Sequence, residues 1–113
     1  GVDIENRFRK NFSEHKEENI DRIAKKCLTA GELQHYVSLE KEEKTDTLLY
    51  YWTRKESYSK ALGKGLAMNF ATIDTQEMDD YFWSDWLKEG YFCSLYVEDG
   101  VFHDKVVQEI VEL

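Results

Sequence analysis

Proline does not occur anywhere in the 113 residues, and this absence constrains the fold more than any other feature of the sequence. Proline breaks helices because it lacks a backbone N–H and its ring clashes with the preceding turn. Long stretches of the chain are also rich in Glu, Lys, Leu and Ala, which favour helix. We therefore expect one acidic all-α domain over residues 1–113, a compact bundle of about five to six helices.

Apolar residues at helical spacing mark the individual helices. In the first third of the chain they are Ile4, Phe8 and Phe12, then Ile20, Ile23, Ala24 and Cys27 on a rotated face. Thr29 and Glu32 have the spacing of a capping box, which predicts the start of a short helix. Apolar turns at 48–52 and 58–68 predict two more helical patterns, the second of which contains Gly63 and Gly65.

The second half of the chain is read in the same way, with one ambiguous stretch. Asp74 and Glu77 predict a helix that runs to about Glu89 and ends at Gly90. Residues 101–113 also have helical spacing. The aromatic and β-branched residues of 91–97 favour a strand instead, so a small β-hairpin around residues 91–107 stays open as the alternative.

Two cysteines, Cys27 and Cys93, are too few for a disulfide framework, and we expect both to be buried apolar residues. The sequence has no apolar run near the ~20 residues that a membrane span requires. It begins Gly-Val rather than Met, which suggests a cleavage scar or a fragment boundary. The expected location is cytoplasmic, with no membrane contact.

The net charge of −8 belongs almost entirely to the second half of the chain. Residues 1–57 hold 12 acids and 11 bases, whereas residues 58–113 hold 11 acids and 4 bases. Aromatic side chains crowd the same acidic window. Carboxylates attract a cationic partner, and tyrosine and tryptophan dominate interface hot spots. Direct nucleic-acid binding is disfavoured because phosphates require Lys and Arg.

This window predicts a partner-binding surface. Its candidate residues are Asp79, Asp80, Tyr81, Trp83, Asp85, Tyr96, Glu98 and Asp99. The competing interpretation is a plain core, because Met78, Phe82 and Trp86 are spaced four apart. On a helix, however, the apolar positions from Met78 to Leu87 spread over about 240°, wider than one packed face needs.

No catalytic or metal-binding motif is apparent. The histidines at 15, 35 and 103 have no second histidine or cysteine at metal-ligand spacing. Cys93 and His103 could pair as nucleophile and base, but nothing supplies an oxyanion hole or a third group. We therefore expect a protein that is not an enzyme and that uses no cofactor and no metal.

In size, charge and composition the chain resembles bacterial immunity proteins and antitoxins. The resemblance implies an inhibitor whose acidic, aromatic surface blocks the basic active site of a toxin, most simply a nuclease. The alternative is a helical adaptor or oligomerisation domain of a larger protein, and homo-oligomerisation stays open. A nucleic-acid mimic directed at a defence enzyme is the third hypothesis.

Overall fold

The computed structural model describes residues 1–7, 16–63, 68–102 and 104–112. The strands are β1 (Val2–Asn6), β2 (Phe82–Trp86) and β3 (Tyr91–Tyr96), and the α-helices are α1 (Lys16–Cys27), α2 (Ala30–Val37), α3 (Lys41–Leu62) and α4 (Asp104–Val111). Short 3-10 segments cover Phe70–Thr72, Thr75–Tyr81 and Lys88–Gly90. The fold is therefore mixed α and β, and the prediction of an all-α bundle is wrong.

The three strands form one antiparallel sheet in the order β1-β3-β2. β1 pairs with β3 from Val2 opposite Leu95 to Asn6 opposite Tyr91. The predicted first helix is wrong at Ile4, which lies in β1; Phe8 and Phe12 lie outside the described residues. The sheet-forming partner of β1 is about ninety residues away along the chain, so local spacing could not indicate it.

The helix predicted from Asp74 to Glu89 is also wrong. Asp74 does act as a cap, since its side chain accepts a hydrogen bond from Gln76 N at 2.9 Å, but it opens only the 3-10 segment Thr75–Tyr81. The chain then extends as β2, in which alternate side chains point to opposite sheet faces. The apolar residues of this stretch are therefore divided between two sheet faces, which explains why they covered too wide an angle for one face of a helix.

The predicted hairpin at 91–107 is correct in placing a strand at 91–96 and wrong in its partner. β3 pairs back onto β2, from Phe82 opposite Tyr96 to Trp86 opposite Phe92. The connecting turn uses left-handed backbone at Glu89 (φ 60°) and at Gly90 (φ 79°), so Gly90 supports a turn and does not end a helix. Residues 104–111 are helical, as their spacing predicts.

The helix α3 is the central element, and it lies against β3 and β1. The patterns at 48–52 and 58–62 belong to this one helix of 22 residues, which ends where Gly63 adopts φ 70°. The prediction that the helical pattern continues through Gly63 to Met68 is therefore wrong at Gly63 and Met68, and residues 64–67 lie outside the described residues. The core packed around it comprises Ile20, Ala24, Leu28, Tyr36, Leu48, Leu49, Tyr51 and Phe92. The capping box at Thr29 and Glu32 is confirmed, with both reciprocal hydrogen bonds present.

Cys27 and Cys93 are both buried and unpaired, which confirms that they form no disulfide. Within the described residues, no helix is long and apolar enough to cross a membrane.

Candidate active site

An ion pair joins the first strand to the last turns of the central helix. Lys60 Nζ on α3 donates to Asp3 Oδ1 on β1 at 2.7 Å and to the carbonyl oxygen of Val2 at 3.2 Å. The Asp3 side chain is 8% exposed, whereas the Lys60 side chain is 50% exposed. One end of this pair is thus fixed inside the protein, and the other reaches solvent.

The close approach of β1 to α3 brings the two residues together. The backbone of Gly1 exchanges two hydrogen bonds with Tyr96, which extends the β1–β3 ladder beyond Val2. A Cβ atom at Gly1 would overlap the carbonyl oxygen of Ser57 and lie 2.8 Å from Ala61 N. Glycine at this position therefore lets the strand lie directly on the helix backbone.

Two further carboxylates contribute to the electrostatics of the pair. Glu5 follows Asp3 by two residues on β1, which places it on the same sheet face, and Glu56 precedes Lys60 by one helical turn. The hydrogen bond that Lys60 donates to Asp3 is the main cause that raises the pKa of Lys60, and the charges of Asp3, Glu56 and Glu5 raise it further against partial burial. Lys60 therefore carries a positive charge within a group of three acids.

The second carboxylate oxygen of Asp3 provides a test of whether the site suits a metal ion. Asp3 Oδ2 is buried and has no hydrogen-bond partner within the described residues. Carboxylate oxygens are ligands that Mg²⁺ prefers, and Mg²⁺ often binds through one or two carboxylates together with substrate phosphates. Within the same residues no group of three or more His, Cys, Asp or Glu could hold a metal alone. The donor set thus fits a hard divalent cation that shares its coordination with a substrate.

Lys55, one residue before Glu56, holds α3 in place from the opposite side. Its side chain is 0% exposed, and Nζ donates to Glu32 Oε1 at 2.5 Å, to Cys27 O at 2.6 Å and to Phe70 O at 2.9 Å. Burial lowers the pKa of Lys55, and the hydrogen bond and charge of Glu32 oppose that shift. All three ammonium protons have acceptors, so Lys55 acts as an anchor that fixes α3 against α1 and α2.

A chain of three hydroxyl groups, of which those of Thr53 and Ser94 are buried, links α3 to the sheet beside Asp3. Ser94 lies opposite Asp3 on β3, and its Oγ lies 2.7 Å from Thr53 Oγ1 and 2.8 Å from Ser84 Oγ. Thr53 Oγ1 donates to Leu49 O at 2.8 Å, so each hydroxyl can donate one hydrogen bond and accept another. These hydrogen bonds help to fix the position of α3 against the strands β1 and β3, the first of which carries Asp3.

A comparison with protein-family models matches residues 1–109 to the 4'-phosphopantetheinyl transferase superfamily (ACPS). The chain belongs to this superfamily. The match covers nearly the whole sequence, including both sides of the Asp3–Lys60 pair. A search of solved structures found no match.

Membership in the superfamily corrects the functional hypotheses drawn from composition. A transferase family indicates an enzyme, so the prediction of a non-catalytic protein is wrong. The interpretation as an immunity protein or antitoxin is wrong as well, as is a toxin or nuclease as the expected partner. Acidic and aromatic surface residues occur in proteins of many unrelated functions, so they do not by themselves identify the function.

The predicted partner-binding acids belong to other elements than the Asp3–Lys60 pair. Asp79 accepts a hydrogen bond from the buried guanidinium of Arg54 at 2.9 Å, and Asp80 is exposed beside it in the same 3-10 segment. Asp85 is exposed on β2, and its Oδ1 accepts from the N–H of Trp86 at 2.8 Å. Arg54 therefore already balances one of the three clustered acids.

The predicted aromatic residues are partly brought together. The rings of Tyr81 and Tyr96 lie 6.4 Å apart, and Tyr81 is 40% exposed. Trp83 is half-buried opposite Leu95. Glu98 and Asp99 are both exposed just beyond β3, and Asp99 Oδ1 accepts from Val101 N at 3.0 Å. That these residues bind a partner stays a prediction.

Sequence reasoning missed Asp3, Glu5, Glu56 and Lys60. Two local signals were available: acids two apart at 3 and 5, as on one face of a strand, and an acid and a base four apart at 56 and 60, as on one face of a helix. Each signal is common on ordinary surfaces. Only the packing of β1 on α3 makes one site of them.

Proposed function

We propose that this chain catalyses transfer of a 4'-phosphopantetheinyl group from coenzyme A to a hydroxyl side chain of an acyl carrier protein. The observation that carries the proposal is the buried carboxylate of Asp3 paired with the half-exposed ammonium of Lys60. The superfamily match supports the proposal as well, because the name of the superfamily identifies the transferred group.

The reaction is a substitution at phosphorus. The acceptor hydroxyl oxygen forms a bond to the phosphorus that carries the pantetheine arm, and the bond from that phosphorus to the bridging oxygen of the diphosphate breaks. The nucleotide half keeps the bridging oxygen and leaves as adenosine 3',5'-bisphosphate, and the hydroxyl proton passes to solvent or a nearby base. Such reactions depend mainly on positioning and on stabilising charge at the phosphoryl oxygens.

The charges of the site indicate how it would receive a diphosphate. Asp3, Glu5 and Glu56 supply three negative charges against the positive charges of Lys60 and of the nearby Gly1 N-terminus, so the net charge of the protein groups alone repels a phosphate. Asp3, with Glu56 as a second carboxylate, would hold a divalent cation whose charge would reverse that balance. When bound, the cation neutralises charge on the phosphate oxygens and orients them.

Lys60 and Asp3 have separate roles in this proposal. Lys60 has a long side chain with a compact charge, which suits it to donate hydrogen bonds to phosphate oxygens. Asp3 is held on a paired strand and keeps its carboxylate in place.

Two unpaired thiols, at Cys27 and Cys93, are consistent with a cytoplasmic enzyme.

The test is a transfer assay with an acyl carrier protein, coenzyme A and Mg²⁺, in which mass spectrometry detects the modified carrier. We expect Asp3→Asn and Lys60→Met to lower kcat/KM by roughly a hundredfold or more, the usual loss when one charge-stabilising group is removed. Glu42→Gln is the matched control, because Glu42 is an exposed acid in the first turn of α3, 18 residues before Lys60 and outside the predicted partner-binding surface.

Two results would reject the proposal. One is a folded wild-type protein that forms no modified carrier under these conditions. The other is an Asp3→Asn variant that is as active as Glu42→Gln.

A further inference from the structure

We propose that the Lys60 ammonium occupies, in the substrate-free protein, the position that a divalent cation takes at Asp3, so that lysine and cation compete for one carboxylate. The inference rests on the proposed function for the assignment of a cation to Asp3. The new element is that Lys60, a residue of the same chain, competes with the cation for Asp3.

The surroundings of Lys60 Nζ are those of a bound cation. Its two hydrogen-bond acceptors are a carboxylate oxygen of Asp3 and the carbonyl oxygen of Val2, at 2.7 and 3.2 Å. Hard metal cations prefer the same two kinds of oxygen ligand. The charges of Glu5 and Glu56 act on the ammonium as well. A lysine in such an oxygen environment balances charge that a metal would otherwise balance.

The two partners differ in their freedom to move. Asp3 is 8% exposed and sits on a strand whose backbone is paired with β3. The side chain of Lys60 is 50% exposed on a flexible four-carbon stem, so it can leave while α3 stays in place. Asp3 Oδ2 is buried and lacks a partner within the described residues, so Oδ1 is the oxygen that Lys60 and an incoming cation share.

Displacement of Lys60 would couple the binding of the cation to the binding of the phosphate donor. A cation that replaces Lys60 at Asp3 frees an ammonium beside itself, where it can meet the phosphate oxygens of the donor. The cation and the anionic donor therefore assist each other's binding, while the free protein holds the cation weakly.

The experiment measures Mn²⁺ binding to the substrate-free protein, with the paramagnetic resonance signal of free Mn²⁺ as the readout. Wild type is compared with Lys60→Met and Lys60→Gln, which remove the charge, and with Asp3→Asn, which removes the shared carboxylate charge. Lys41→Met is the matched control, because Lys41 is exposed on the first turn of the same helix and lies about 28 Å away along its axis.

We expect both Lys60 variants to bind Mn²⁺ about tenfold more tightly than wild type, which corresponds to loss of one charge-assisted hydrogen bond from the competing state. Lys41→Met should stay within about twofold of wild type, and Asp3→Asn should bind more weakly.

The proposal is overturned if the Lys60 variants bind Mn²⁺ no more tightly than wild type, or if none of the proteins binds it. Because coenzyme A and carrier protein are absent, the outcome is separate from the transfer assay. Tighter binding without transfer supports the competition and rejects the proposed function. Transfer with unchanged Mn²⁺ affinity does the reverse.

Discussion

Gly1 lies so close to Ser57 that a side chain at position 1 would overlap the Ser57 carbonyl oxygen. This contact sets the distance between β1 and α3 at the point where Asp3 meets Lys60. We expect Gly1→Ala to push the strand away, lower the free energy of unfolding by about 1–3 kcal/mol and weaken Mn²⁺ binding. Denaturant unfolding and the Mn²⁺ titration measure the two effects.

Gly31→Ala is the control for that substitution. A Cβ atom at Gly31 has no neighbour within 4 Å, and the residue lies in the first turn of α2. Alanine should therefore stabilise the protein by up to about 1 kcal/mol, because it favours helix over glycine. Equal destabilisation by both substitutions would contradict the role given to Gly1.

The buried pair of Lys55 and Glu32 provides a second prediction. Lys55→Met should lower the free energy of unfolding by about 3–5 kcal/mol, because it leaves the Glu32 carboxylate buried without its counter-charge. Adding Glu32→Gln should recover part of that loss, and the amide oxygen can still accept the hydrogen bond from Thr29 N. Urea unfolding of both singles and the double variant forms the cycle; additive effects would show that the two residues act independently.

The hydroxyl chain provides a third prediction. Ser94 is fully buried between Thr53 and Ser84, so Ser94→Ala should cost about 1–3 kcal/mol of stability by leaving two hydroxyls with fewer partners. Ser84→Ala should cost less, because Ser84 is only half-buried. Thermal unfolding compares the two variants, and a larger loss for Ser84→Ala would contradict this ordering.

The two cysteines provide a pH prediction. Burial raises the pKa of Cys27 and of Cys93 to about 11, from an ordinary value of 9.0. Both thiols should therefore react with a disulfide reagent at pH 8 only as fast as the protein opens. Since the unfolded state loses these protons first, their contribution to stability is complete below pH 9 and is lost as pH rises towards 11. Rapid labelling of the folded protein at pH 8 would disprove this.

The local signals of the sequence determined several elements correctly. The capping box at Thr29 and Glu32 begins α2, as predicted. Ile20, Ile23 and Ala24, whose spacing predicted a helix, lie in α1. These succeed because a cap and a helical face involve residues three or four apart, which contact one another wherever the helix is placed. Burial of both cysteines followed from their apolar character.

The β structure could not be read in the same way. Phe82 and Trp86 have a spacing that suits either a helical face or alternate positions of a strand, and their strand partner β3 decided between the two. At β1 the deciding contact comes from residues 91–95, about ninety positions away. Tertiary pairing overrode local propensity in both places.

The sequence by itself determined where α2 begins, through the capping box at Thr29 and Glu32, and that parts of α1 and α3 are helical, through their apolar spacing. The sequence also showed that the net charge is concentrated in the second half of the chain. Only the tertiary structure decided that a sheet exists and that Asp3 meets Lys60, 57 residues later. The physical reason is that a site built from one strand and one helix needs their packing, and no local spacing encodes that contact.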